Sequence, residues 1–230
     1  MIKKKITKKN PEEKKEISIN SKSQDKELKI IIISMIGLIA IFLLTAWFFD
    51  SLKDFEYQGL KFTKERFGEI PVFHYTYSYK NLEGSLIKYN LYLRKDPRKN
   101  NVPVEGEIVF PIGGYVYMTI NSTGLLQCEN ALRDYAGLAS FLSDNSLPIK
   151  SATVDKAEAE ANNQDFADCS TYPENVVILT SAGSETKILK ENMCYKITIN
   201  NCEFLDAMEK FKVQAAIDAR ARARQSSFPK

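Results

Sequence analysis

Apolar positions are unevenly spread along this chain. Residues 30–49, IIIISMIGLIAIFLLTAWFF, carry no charge and are almost wholly apolar, whereas the 29 residues before them are mostly polar. At about 1.5 Å of rise per residue the run covers about 30 Å as a helix, the depth of a bilayer's hydrocarbon core. Backbone in lipid must satisfy its own hydrogen bonds, so the run predicts one transmembrane helix. Lys29 opens it, and Trp47, Phe48 and Phe49 close it with rings suited to the headgroup level. The run exceeds the roughly 7–15 residues of a secretory h-region and lacks a small-x-small cleavage site, which favours retention as an anchor.

Beyond the run the period changes to two. Residues 71–79 alternate strictly: Phe73, Tyr75, Tyr77 and Tyr79 point one way, and Val72, His74, Thr76 and Ser78 the other. Residues 86–93 alternate again, with Ile87, Tyr89, Leu91 and Leu93 on one face. Gln58-Gly59 and residues 81–84 read as turns, and further strands are expected at 107–110 and 115–120. Residues 50–124 are therefore expected to form an external antiparallel β-meander with one buried face.

From residue 125 the spacing becomes mixed. Ala131, Leu132, Tyr135, Leu138, Ala139 and Leu142 fall on one helical stripe. Strands are expected at 149–154, 176–180, 186–189 and 193–199, and a polar helix at 155–165. A C-terminal helix from 203 to about 219 carries Phe204, Met208, Phe211 and Ala215 on one face. Residues 125–230 thus form an α/β half, and the whole is α+β, with a tail, a span and one external region of ordinary domain size.

Charge orients the chain. Residues 1–29 hold ten Lys against five acids, while the chain as a whole is +3. By the positive-inside rule the amino terminus is expected in the cytoplasm and the domain outside it, at the cell membrane. The tail has few large apolar residues and is expected to be disordered. With no Arg and no aromatic side chain in it, nucleic-acid binding is not expected. The expected partners are the lipid bilayer and other cell-envelope proteins.

Cys128, Cys169, Cys194 and Cys202 all follow the span, so oxidation is expected. Four cysteines allow three pairings. An extended 193–199 segment would carry Cys194 roughly 20 Å from its end, which disfavours Cys194–Cys202. The favoured bridges join Cys128 or Cys169 to one of the later two. Gaps of 40, 24 and 7 residues do not suit a four-thiolate zinc site, so no metal is expected.

Candidate chemistry is sparse. His74 is the single histidine, and G-x-S-x-G and H-E-x-x-H are both missing. Asp155, Glu158, Glu160, Asp165 and Asp168 cluster in sequence but read as a solvated face. Gly113-Gly114 and Gly183 read as turns, Asn121-Ser-Thr123 is a glycosylation sequon, and Arg220, Arg222 and Arg224 read as a fraying basic end. No catalytic residue and no cofactor are expected. The charged loop 94–101 is the expected binding element, through Arg94 and Arg98, because a guanidinium pairs well with carboxylate or phosphate.

The segment CYKITINNCEFLDAMEKF from Cys194 to Phe211, with NLYLRKDPR from Asn90 to Arg98, resembles small archaeal single-pass membrane-anchored proteins with no assigned function. The resemblance implies an anchored external domain and transfers no site residue. The leading expectation is an anchored binding or assembly protein. The alternative is an extracytoplasmic hydrolase using carboxylates, which would need converging acids in a deep pocket.

Overall fold

A computed structural model describes residues 11–51, 53–81, 83–111, 113–125 and 127–226. The chain divides into two compact units, residues 1–53 and 54–230. The first is one helix, α1 (Pro11–Ser51). Within it Lys26–Phe49 is long and apolar enough to cross a membrane. Disorder was expected over residues 1–29; residues 1–10 lie outside the described residues. From residue 11 onward the tail continues the helix, with Pro11 at its first position.

The second unit opens with the expected meander: β1 (Asp54–Tyr57), β2 (Leu60–Phe67), β3 (Ile70–Lys80) and β4 (Leu86–Leu93), each antiparallel to the next. Gln58 and Gly59 both take positive φ between β1 and β2, which a two-residue hairpin loop of that hand requires. The alternation holds. Leu60, Phe62, Phe73, Tyr75, Leu91 and Leu93 are buried, while the opposite face carries His74, Thr76 and Asn90.

The remaining strands form a seven-stranded mixed sheet. They are β5 (Val104–Glu105), β6 (Val116–Ile120), β7 (Ile149–Thr153), β8 (Asp165–Phe166), β9 (Val176–Ala182), β10 (Lys187–Glu191) and β11 (Cys194–Ile199), in the order β5-β10-β11-β9-β6-β7-β8. Only β10 with β11 is antiparallel. Helix α2 (Ala131–Asp144) links β6 to β7, and α3 (Lys156–Asn162) links β7 to β8. Helix α4 (Phe204–Ser226) follows β11. One continuous core joins the inner face of the meander, the buried stripes of α2 and α4, and one face of the large sheet. A smaller cluster of Tyr117, Ala152, Ala167, Val177 and Cys194 lies on the other face, against Cys169 and Tyr172.

The expected strand at 115–120 does not extend the meander: β6 lies in the large sheet, parallel to β7 and β9. Two further expectations change. Residues 107–110 form no strand; side chains satisfy their backbone instead. Ile108 N donates to Asp218 Oδ2 at 2.7 Å, and Val109 N to the Tyr195 hydroxyl at 2.6 Å. Helix α4 does not fray after Ala219 but runs to Ser226, because Arg222 Nη1 reaches Glu107 Oε1 at 2.5 Å and Ile108 O at 3.1 Å.

Candidate functional site

The tyrosines of β3 pass from core to surface along the strand. Tyr75 is buried, while Tyr77 and Tyr79 are half-buried. Ring centroids step 5.6 Å from Tyr75 to Tyr77 and 6.4 Å to Tyr79, and Tyr89 of β4 backs Tyr77 at 5.4 Å. Phe141 of α2 meets Tyr89 edge-on at 5.8 Å. The phenols are tied to the end of α2: Tyr77 donates to Asn145 Oδ1 at 2.6 Å, and Tyr79 donates to Asp144 O. Asn145 Nδ2 in turn donates to Phe141 O at 2.7 Å, so the aromatic wall is fixed on a helix terminus.

Opposite this wall stands α4. Ala215, Ala219 and Ala223 follow at four-residue steps on one stripe, and their short side chains leave a cleft of about 560 Å³. Phe110 and Leu147 complete the apolar lining, and Arg220 and Arg222 stand beside it. Among the described residues no Asp or Glu lines the cleft. Arg222 is paired with Glu107, whereas Arg220 has no ion pair among the described residues. Burial pushes the Tyr77 phenol well above its ordinary value, and pushes Tyr89 up to about 12 with help from the Asp144 charge. These two phenols are therefore uncharged at any physiological pH. A cleft of this size, apolar with a few polar groups, falls in the range that holds small ligands.

The loop chosen from the sequence sits elsewhere and is largely engaged with α4. The Arg94 and Lys95 backbone N–H groups donate to the Glu209 carboxylate at 2.6 and 3.1 Å. Lys95 Nζ binds Asp206, Asn100 Nδ2 donates to Asp206 O at 2.8 Å, and Lys210 Nζ donates to Asn100 O at 3.2 Å. Arg98 is held by the Asp96 carboxylate and lies over the Phe55 ring at 3.8 Å. Arg94 keeps a half-exposed guanidinium 4.0 Å from Asp134.

The cysteines form two bridges, Cys128–Cys202 and Cys169–Cys194. Each joins one of the first two cysteines to one of the last two; β11 separates Cys194 from Cys202. In a largely parallel sheet ligands commonly sit outside the carboxyl ends of strands where the connections diverge. Here that place lies between β6 and β9, and the Cys128–Cys202 bridge closes over it. Gly124, at φ +78°, packs so close that a Cβ there would stand 3.2 Å from the Cβ of Ala182.

The carboxylate cluster is dispersed in local duties. Asp155 caps α3, Glu158 accepts from Thr153 Oγ1 at 2.8 Å, and Lys150 pairs with Asp165 at 3.7 Å. Asp168 is held down to about 2 by the hydroxyls of Thr171 and Ser170. His74 Nδ1 meets Glu65 Oε1 at 2.8 Å on the outer face of the meander, and its ring stacks on Tyr92. Asn121 accepts from Thr123 N at 3.1 Å at the end of β6. Among the described residues no group of three or more His, Cys, Asp or Glu is placed to hold a metal ion.

The cleft itself was only half legible. Alternation alone predicts a buried face for these tyrosines, and Arg220 falls in a segment that reads as a fraying basic end. The overlooked signal was the alanine spacing from 215 to 223, which continues the apolar stripe of α4. Comparison with protein-family models, with curated proteins and with solved structures finds no match.

Proposed function

We propose that this chain is a single-pass, membrane-anchored binding protein whose α+β domain lies outside the cytoplasm, and that the tyrosine-lined cleft takes an acyl-chain amphiphile with an anionic head. The observation that carries the reading is the lining: an aromatic wall, an alanine wall and, among the described residues, no carboxylate and no ion pair for Arg220. An acyl chain would lie between the two walls, where burial of apolar area drives association. The anionic head would meet Arg220, whose planar guanidinium suits a carboxylate or phosphate. The hydrolase reading would need converging acids, and the cleft offers none.

Anchoring and orientation are supported by the length of the apolar run, by the lysines before it and by two disulfides, which persist in oxidising compartments. The bilayer itself would present acyl chains beside the domain.

Native mass spectrometry of the detergent-purified full chain tests the reading, with palmitate and with hexadecanol, which share a chain and differ in charge. Palmitate is expected to bind more tightly, and Arg220→Ala to erase the difference. Equal binding of the two by the unsubstituted protein, or binding of neither, would sink the proposal.

A further inference from the structure

The outer face of the meander has an exposed apolar end that the cleft does not use. Phe67 and Ile70 are paired across the two-residue turn Gly68-Glu69 and are 81% and 51% exposed. With Val72 and Tyr92 they surround a hollow of about 430 Å³, and Arg66 and Arg94 stand at its rim. Large apolar side chains at a hairpin tip gain nothing from water, so a contiguous set of them marks a contact surface.

The strand register says which end of the sheet this is. The chain enters the meander at Asp54, which pairs with Thr63. Strand β2 runs on past Thr63 to Phe67, four residues beyond the level of entry, or about 13 Å at the usual strand rise. The tip therefore projects from the same end of the sheet at which the chain arrives. Between Phe49, the last residue of the apolar run, and Asp54 lie four residues, a reach of at most about 14 Å.

Charge agrees. Arg66 and Arg94 stand beside the tip, where Glu69 is the carboxylate on the turn. Glu65, the other acid nearby, is bound to His74 Nδ1 at 2.8 Å. Basic side chains around an apolar tip suit anionic headgroups over acyl chains.

We infer that the β2–β3 hairpin is a second membrane contact, with Phe67 and Ile70 seated in the interfacial layer of a phospholipid bilayer and Arg66 and Arg94 on its phosphates. This rests on the anchored reading above but not on the cleft.

The single tryptophan makes the test separable. The full chain is reconstituted into phosphatidylcholine–phosphatidylglycerol vesicles with brominated acyl chains, which quench indoles in contact with them. Three proteins are compared: the native sequence with Trp47, Trp47→Phe with Phe67→Trp, and Trp47→Phe with Leu86→Trp. Leu86 is 71% exposed at the far end of the meander. The indoles at 47 and 67 are expected to lose most of their emission, and the one at 86 to keep it. Quenching at 47 without quenching at 67 would overturn the inference and leave the anchor standing. No quenching at 47 would overturn the anchor, and the inference with it. An indole at 67 shielded from iodide yet not quenched by bromolipid would mean that a second copy or another protein covers the tip, which also overturns it. Ile70→Trp provides the same readout if the substitution at 67 impairs folding.

Discussion

Cys128 and Cys202, 74 residues apart in sequence, are bonded to each other, and the bond ties the start of α2 to the start of α4. The strands that precede these helices, β6 and β11, run in the same direction with β9 between them. The bridge therefore crosses the carboxyl end of β9, where this kind of sheet usually opens. What remains for a ligand is the other end of the helix pair, and the tyrosine cleft is there, beside Phe141 and Asn145 and the last turns of α4.

The two bridges should differ in weight. Chain-entropy arguments give about 4.5 kcal/mol for a separation of 74 residues and about 3.5 kcal/mol for 25. Replacing Cys128 and Cys202 together by Ser is expected to lower the denaturation midpoint more than replacing Cys169 and Cys194. Non-reducing peptide mapping should find the 128–202 and 169–194 peptides linked. A 194–202 link, or four free thiols, would reject the pairing.

Glu209 is buried, and its carboxylate accepts two backbone N–H groups from the end of the meander. Burial pushes its pKa up, and pushes the neighbouring Lys212 down. Glu209→Ala would leave both N–H groups without their acceptor and remove the opposite charge nearest the buried Lys212, and is expected to cost about 3–5 kcal/mol in chemical denaturation. Glu209→Gln keeps one acceptor oxygen and should cost less. Equal midpoints for Ala and Gln would show that the two N–H bonds carry no weight.

Alkaline pH should loosen the domain through its buried phenols. An unfolded phenol ionises near pH 10, whereas folded Tyr89 holds its proton to about 12. Burial also raises Tyr77, Tyr135 and Tyr195. The folded state then binds more protons than the unfolded one, so stability falls as pH rises from about 10 to about 12. Urea midpoints across that window should fall for the native chain and fall less steeply for Tyr77→Phe with Tyr89→Phe.

Filling the cleft should separate binding from folding. Ala219 is exposed on the alanine stripe of α4, where Leu is nearly as good a helix former. Ala219→Leu is expected to leave the thermal midpoint nearly unchanged and to remove palmitate binding in native mass spectrometry. Full retention of palmitate would place the ligand elsewhere.

Arg98→Ala tests the loop that the sequence singled out. Its guanidinium is held by Asp96 and the Phe55 ring, so replacement is expected to lower the thermal midpoint slightly. Exposed cation–π contacts are worth about 0.5–1 kcal/mol. Loss of a co-purifying protein with no change in midpoint would restore the loop as a recognition element.

Local pattern was enough for most elements of this protein. Period-two alternation placed β3 and β4 and told their two faces apart, because side chains on a strand must alternate. Twenty uncharged, almost wholly apolar residues in a row were enough for the membrane-length helix, because length and hydropathy are local properties. The turn at Gln58-Gly59 was legible for the same reason: its backbone conformation is set by the residues within it. Tertiary structure decided everything that depends on distant partners. Residues 107–110 lost their strand because Asp218 and Tyr195, more than 80 residues away, satisfy their backbone. Arg222 stayed helical because Glu107 waits for it. The tyrosines became a cleft wall, not only core, because the stripe facing them is alanine. Which two cysteines meet was set by the order of β6, β9 and β11, which no spacing in the sequence encodes.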